Sequence, residues 1–197
     1  MNLAFLGDAL DHWKGSLIES LQNSNLLSGF AVDPMAVDWS AWQPDDVLAF
    51  ARLLRINKSQ IISHSVHITN RNAYFGEIRH NGDLFLDPDT GIATGRVQNI
   101  CRYIKPTEID KLLYNSDRLV AVYQHVRARV TSQRIDEVCH VLNGEIVGLQ
   151  WCSYESSTVA MMFLSLSPVR VAKVAMHFRN LLGQDASRRI RGAGCTT

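Results

Sequence analysis

The chain has no apolar run near the roughly 18 residues that a membrane-spanning helix needs. It also lacks an excess of either charge, since 20 Lys and Arg against 19 Asp and Glu leave a formal net charge of +1. That balance supplies no global attraction to nucleic acid or an anionic membrane, so contact with either would rest on a local patch. The four cysteines, Cys101, Cys139, Cys152 and Cys195, are scattered without a C-x-x-C pair. Their spacing argues against a zinc ribbon or a disulfide framework and predicts reduced thiols in a cytoplasmic protein. The amino-terminal segment has no basic stretch and carries Asp8 and Asp11, so it does not read as a secretory signal. No G-x-G-x-x-G, Walker A or G-x-S-x-G string occurs, which removes the common signatures of dinucleotide, P-loop and nucleophile-elbow sites. Nor does a repeat, low-complexity tract or long linker divide the chain.

What is present is a globular composition, 46% apolar and 20% charged over 197 residues, enough to bury a core. The pattern predicts one α/β domain over residues 1–183, followed by a flexible, small-residue and basic tail over 184–197. Residues 2–6 are a short apolar run closed by Gly7, read as a first strand, after which Asp11 can cap a helix carrying Leu17, Ile18 and Leu21. Residues 29–32 form a second strand ending at Asp33-Pro34. Pro44 opens a helix whose apolar stripe is Val47, Phe50, Ala51 and Leu54. A helix over 70–79, the strand 84–86 and a helix from Pro106 to about residue 114 follow. Strand 119–123, helix 131–142, strands 146–151 and 158–166, and a helix opened by Pro168 complete the order. The last two strands are joined by too short a stretch for a crossover helix, so they form an antiparallel hairpin. The expected fold is therefore doubly wound: a mostly parallel sheet with a carboxy-terminal antiparallel hairpin, in a three-layer αβα arrangement.

In such sheets ligands sit beyond the carboxyl ends of the strands. Three polar clusters fall there. The first holds Gly7, Asp8, Asp11, His12 and Lys14 at a helix start, where free N–H groups and a helix dipole suit a polar or anionic ligand; Asp8 and Asp11 equally serve as plain helix caps. The second is Asp87-Pro88-Asp89-Thr90-Gly91, whose two carboxylates can bind Mg²⁺ or accept protons from an amino or hydroxyl group, or simply build a solvated turn. The third contains Tyr123, His125, Arg127 and Arg129: a histidine able to serve as acid or base near neutral pH, or equally a hydrogen-bonded structural residue, beside guanidinium groups that can clamp phosphate or carboxylate. His64 and His67, three residues apart, have no further ligand at zinc spacing. Trp13, Trp39 and Trp42 read as packing residues.

Two of these clusters carry a resemblance. Gly7-x-x-x-Asp11-x-x-Lys14 resembles the G-N-x-x-D-x-x-K-H motif near the start of bacterial 23S rRNA adenine-N6 methyltransferases of the class I, Rossmann-like fold. Asp87-Pro88-Asp89-Thr90 resembles the D-P-P-Y catalytic turn of N6-adenine methyltransferases, and the element order after it is similar to the end of a class I sheet. The resemblance implies that Lys14 lies beside an S-adenosylmethionine site, that Asp87 accepts a hydrogen bond from the target amino group, and that Pro88 holds the turn. The sequence departs from that pattern in three places. Asp89 and Thr90 stand for the second proline and the aromatic residue, Gly15 follows Lys14 in place of histidine, and the glycine-rich loop expected near residues 28–35 is missing. The strings G-D-x-x-D-H-x-K-G and F-L-D-P-D-T-G-I also look like an uncharacterised family of bacterial and phage proteins, which implies no activity.

Three functions stay open at this level. The first is an S-adenosylmethionine-dependent methyltransferase, or a degenerate relative, acting on nucleic acid. The second is a Mg²⁺-dependent phosphodiester or nucleotide hydrolase using Asp87, Asp89, His125 and Arg127. The third is a non-catalytic module that binds a ligand or partner in the same crevice. No membrane partner is expected. All three require the clusters at 7–15, 87–91 and 123–129 to share one rim of the sheet.

Overall fold

The computed structural model describes residues 3–62, 70–78, 80–114, 116–126 and 130–192. His64, His67, Arg127, Arg129 and Cys195 lie outside them.

In chain order the elements are α1 (Ala9–Asn23), β1 (Ala31–Asp33), α2 (Pro44–Leu54), α3 (Arg71–Glu77), β2 (Leu84–Leu86), β3 (Gly91–Ile92), β4 (Tyr103–Ile104) and α4 (Pro106–Leu113). They continue with β5 (Val120–His125), α5 (Thr131–Glu145), β6 (Gln150–Glu155), β7 (Val159–Ser165), α6 (Pro168–Ala186) and β8 (Ile190–Gly192). Six strands make one sheet in the order β1-β2-β5-β7-β6-β8, and β3 and β4 pair separately.

The chain is α/β with a mixed sheet, which corrects the expectation of a mostly parallel one. β1, β2 and β5 run parallel, whereas β5–β7, β7–β6 and β6–β8 are antiparallel. The predicted hairpin is there, with its first strand over 150–155 and not 146–151, and its second strand is the one that pairs with β5. Chain order cannot reveal that insertion.

Two further readings are corrected. Residues 3–5 form a 3-10 turn, not a strand. Leu3 and Leu6 pack against the core from outside the sheet, and so short an apolar run has no period to separate the alternatives. The tail expected over 184–197 begins as the last turn of α6 and a 3-10 turn, then becomes β8, with Ile190 buried and Arg191 paired to Asp136 and Glu155.

Hydrophobic clusters cover both faces of the sheet. Val32, Phe85, Ala121, Tyr123, Met161 and Phe163 join apolar residues of α1, α2 and α6. Leu84, Leu86, Val120, Val122, Met162 and Leu164 join those of α3, α4 and α5. This is the period of two that strands impose, and it decides which polar residue faces which helix. α2 buries the predicted stripe Val47, Phe50, Ala51 and Leu54. α1 lies close against it because residue 15 is glycine: a Cβ there would run into the Leu53 carbonyl oxygen. At the amino ends of the strands, buried Asp83 accepts from the Ser28 and Leu119 amides, at 2.7 Å each, and from Arg170 Nη2 at 2.5 Å.

Candidate functional site

The site forms where α1 begins and where β2 and β5 end. Asp8 caps α1, accepting hydrogen bonds from the amides of Leu10 at 2.8 Å and Asp11 at 3.1 Å. The capping residue is thus Asp8 and not Asp11. Freed from capping, Asp11 turns back: its Oδ2 accepts from the Gly7 amide at 2.9 Å and its Oδ1 from Lys14 Nζ at 3.0 Å.

Lys14 Nζ also donates to Asp87 Oδ2 at 2.9 Å, across 73 residues of sequence. Sheet register explains the meeting. Phe85 is opposite Ala121, so two residues on, Asp87 and Tyr123 project on the same face, towards α1. Lys14 Nζ stands 4.2 Å from the centre of the Tyr123 ring. Asp33, one step out of phase, faces the other side, where it accepts from the Met35 amide at 2.7 Å and Tyr74 Oη at 2.5 Å.

All three charged side chains are withdrawn from solvent, with exposures of 6% for Lys14 and 2% each for Asp11 and Asp87. Burial alone would release the Lys14 proton; the carboxylates of Asp87 and then Asp11 more than offset it and hold the pKa above its usual 10.5. The lysine is therefore a fixed ammonium that keeps two acids in place. The Tyr123 hydroxyl is buried and has no hydrogen-bond partner among the described residues. Its pKa is pushed up, by burial first and then by Asp87, Asp8 and Asp11. It stays a neutral donor, and an unpaired one.

The turn after β2 is held from several sides. The Asp87 amide donates to the Asp33 carbonyl at 3.0 Å, and Arg102 Nε donates to Asp89 at 2.6 Å. The buried Gln124 side chain accepts from the Ile92 amide at 2.7 Å and donates to the His125 carbonyl at 2.6 Å. Gly91 has φ +121°, and a Cβ there would collide with the Gln124 amide group.

These residues enclose a cavity of about 220 Å³. Asp8, Asp11, Lys14, Asp87, Asp89 and His125 of the expected set line it, joined by Tyr123, Arg102 and Phe5. The turns at 7–15, 87–91 and the end of β5 thus share one rim. His12 does not belong: it is exposed on α1 and lines no part of the cavity. Gly7 contributes only its backbone, and Arg127 lies outside the described residues. Four carboxylates (Asp8, Asp11, Asp87, Asp89) face two fixed cations (Lys14, Arg102), so the cavity carries two excess negative charges. A second cavity of about 420 Å³ shares Asp89 and Arg102 and continues past Val37, Asp38, Trp42 and Asn99 beyond the end of β1.

Tyr123 was legible as a neighbour of His125 but not as a lining residue. Arg102, in a 3-10 turn 13 residues beyond its partner, left no signal in the sequence. No protein-family model matches the chain and no curated protein is significantly similar to it, so its chemistry rests on the geometry of this site.

Proposed function

We propose that the chain is an S-adenosylmethionine-dependent methyltransferase, or a descendant that keeps the cofactor site, acting on an amino group of a nucleobase in nucleic acid or a nucleotide. The observation that carries this reading is the buried Lys14–Asp87 pair at the carboxyl ends of β2 and β5. It joins the two segments that resemble the methyltransferase family in a single acidic cavity.

Charge supports the choice of ligand. S-Adenosylmethionine carries a sulfonium and an ammonium, and two excess negative charges favour such a cation. The second cavity adjoins the first through Asp89 and Arg102 and offers the aromatic Trp42 and the carboxylate of Asp38 to an adenosine. It is formed without the glycine-rich loop: Met35, at φ +48°, makes the left-handed turn after β1 that a glycine otherwise supplies. The cofactor when bound supplies the electrophilic methyl group. Asp87 accepts a hydrogen bond from the target amino group and aligns its lone pair, Lys14 holds Asp87 in place, and the unpaired Tyr123 hydroxyl offers the base a hydrogen bond. A three-layer αβα arrangement, with helices on both faces, accords with this reading.

The hydrolase reading has less support. Among the described residues no three His, Cys, Asp or Glu side chains cluster for a metal ion, and Asp87 and Asp89 are each already paired with a cation. Incubation with methyl-labelled S-adenosylmethionine and total RNA, DNA or nucleotides tests the proposal. Label transfer that Asp87→Asn abolishes supports it. Transfer that survives Asp87→Asn, or Mg²⁺-dependent cleavage in its place, overturns it.

A further inference from the structure

A separate cavity of about 490 Å³ opens between the start of α3, the start of α4, the end of α5 and the turn at 93–100. Its charged lining is Arg71, Arg96 and Lys105 against Glu145. Arg71 is 95% buried, from its 5% exposure, and its bonding is lopsided. Nε and Nη2 grip Glu108 at 2.7 and 2.6 Å, and Nη2 also donates to the Tyr103 carbonyl at 2.9 Å. Nη1, at the free corner of the fork, has no hydrogen-bond partner among the described residues. A buried guanidinium nitrogen without an acceptor is rare, and its two N–H groups ask for an oxygen that the protein does not provide.

We infer that this cavity is an oxyanion site that takes a phosphate group, bound by Arg71 Nη1 and by the ammonium of Lys105 and guanidinium of Arg96. Several independent features converge on it. Lys105 is the N-cap residue of the eight-residue α4, and Pro106 and Thr107, in its first turn, also line the cavity. The positive end of the helix dipole therefore faces the same space. Glu108 is spent on Arg71, so it fixes the guanidinium instead of repelling an anion. Arg96 and Lys105 are exposed, free to close on an incoming group. Planar guanidinium forks are the side chains best matched to phosphate oxygens.

The position gives the site a use. A further cavity of about 380 Å³ shares Gly95, Arg96 and Val97 with this one and His125 with the acidic cavity. It thus lies between the acidic cavity and the basic one, beside the 94–97 turn. The two ends prefer opposite charges, so the anion site does not duplicate the first. It stands independently of the methyl-transfer reading, because its probe is phosphate alone.

Titration of the full chain with inorganic phosphate, and in parallel with a short single-stranded oligonucleotide, tests the inference. We expect saturable binding that weakens at least tenfold in the Arg96→Gln/Lys105→Gln double variant, and similarly in Arg71→Lys, which keeps the charge on Glu108 but loses the third corner. Stronger binding of the oligonucleotide identifies the phosphate as one of a nucleic acid backbone; stronger binding of the free ion identifies a small anion. Should Arg71→Lys fail to fold, the exposed double variant decides alone. Binding of neither probe, or affinity unchanged in the double variant, overturns the site.

Discussion

Lys14 Nζ bridges Asp11 and Asp87 in a buried triad at 3.0 and 2.9 Å, with the Tyr123 ring beneath it. One cation facing two carboxylates leaves the group with one excess negative charge. Each partner therefore depends on the others.

Lys14→Met strands two buried carboxylates and should cost about 3–5 kcal/mol of stability, read as a lower urea midpoint. Asp87→Asn leaves Lys14 paired to Asp11 and should cost less. Because the folded-state pKa of Lys14 is raised, its contribution is complete below about 10.5 and is lost as the pH climbs through the higher folded value. The stability gap between wild type and Lys14→Met should therefore narrow above that pH. A gap that widens with alkali contradicts the assignment.

Tyr123→Phe separates stability from binding. The hydroxyl is buried without a partner, so its removal should leave the melting temperature unchanged or raise it, since about 1–3 kcal/mol of desolvation penalty disappears. If the hydroxyl hydrogen-bonds the target base, the same substitution should raise KM for that base. A clear loss of stability would show that it has a partner within the protein.

Gly91→Ala should destabilise the turn after β2. A Cβ there meets the Gln124 side chain and imposes a positive φ on alanine, together about 1–3 kcal/mol. Calorimetry reads the loss, and Gln124→Ala in the same chain should recover part of it by clearing the collision.

Much of this arrangement was legible beforehand. Proline and aliphatic spacing fixed α2 to its last turn, and the Leu84–Leu86 run into Asp-Pro-Asp marked a strand meeting a site. The rest depends on long-range pairing. Residues 2–6 look like any short apolar strand, and only packing against the core made them a turn. Arg191 reads as solvated until Ile190 is seen buried beside β6. Asp33 and Asp87 both follow apolar strands, yet the register sends them to opposite faces. His12 is two residues from Lys14 and lies on the wrong side of α1, because helical neighbours point about 100° apart per residue.

Burial pushes the Cys139 thiol up to about 12, with Arg191 pulling the other way and Asp136 and Glu155 assisting. At pH 8 it should resist iodoacetamide in the native protein and react once the chain is unfolded, as peptide mass spectrometry will show. Rapid native labelling would mean that α5 opens locally.

Ending the chain after Arg189 removes β8, the burial of Ile190 and the Arg191 pairs to Asp136 and Glu155. The expected loss is at least the ~1.5–3 kcal/mol of one buried aliphatic side chain, with faster hydrogen exchange along β6. Unchanged exchange there would show that the edge strand adds nothing.

Isothermal titration of folded wild-type protein with S-adenosylmethionine meets the central claim most directly. The account predicts saturable one-to-one binding, weakened by an Asp38→Asn substitution in the second cavity. Folded protein that takes up no cofactor at millimolar concentration contradicts it.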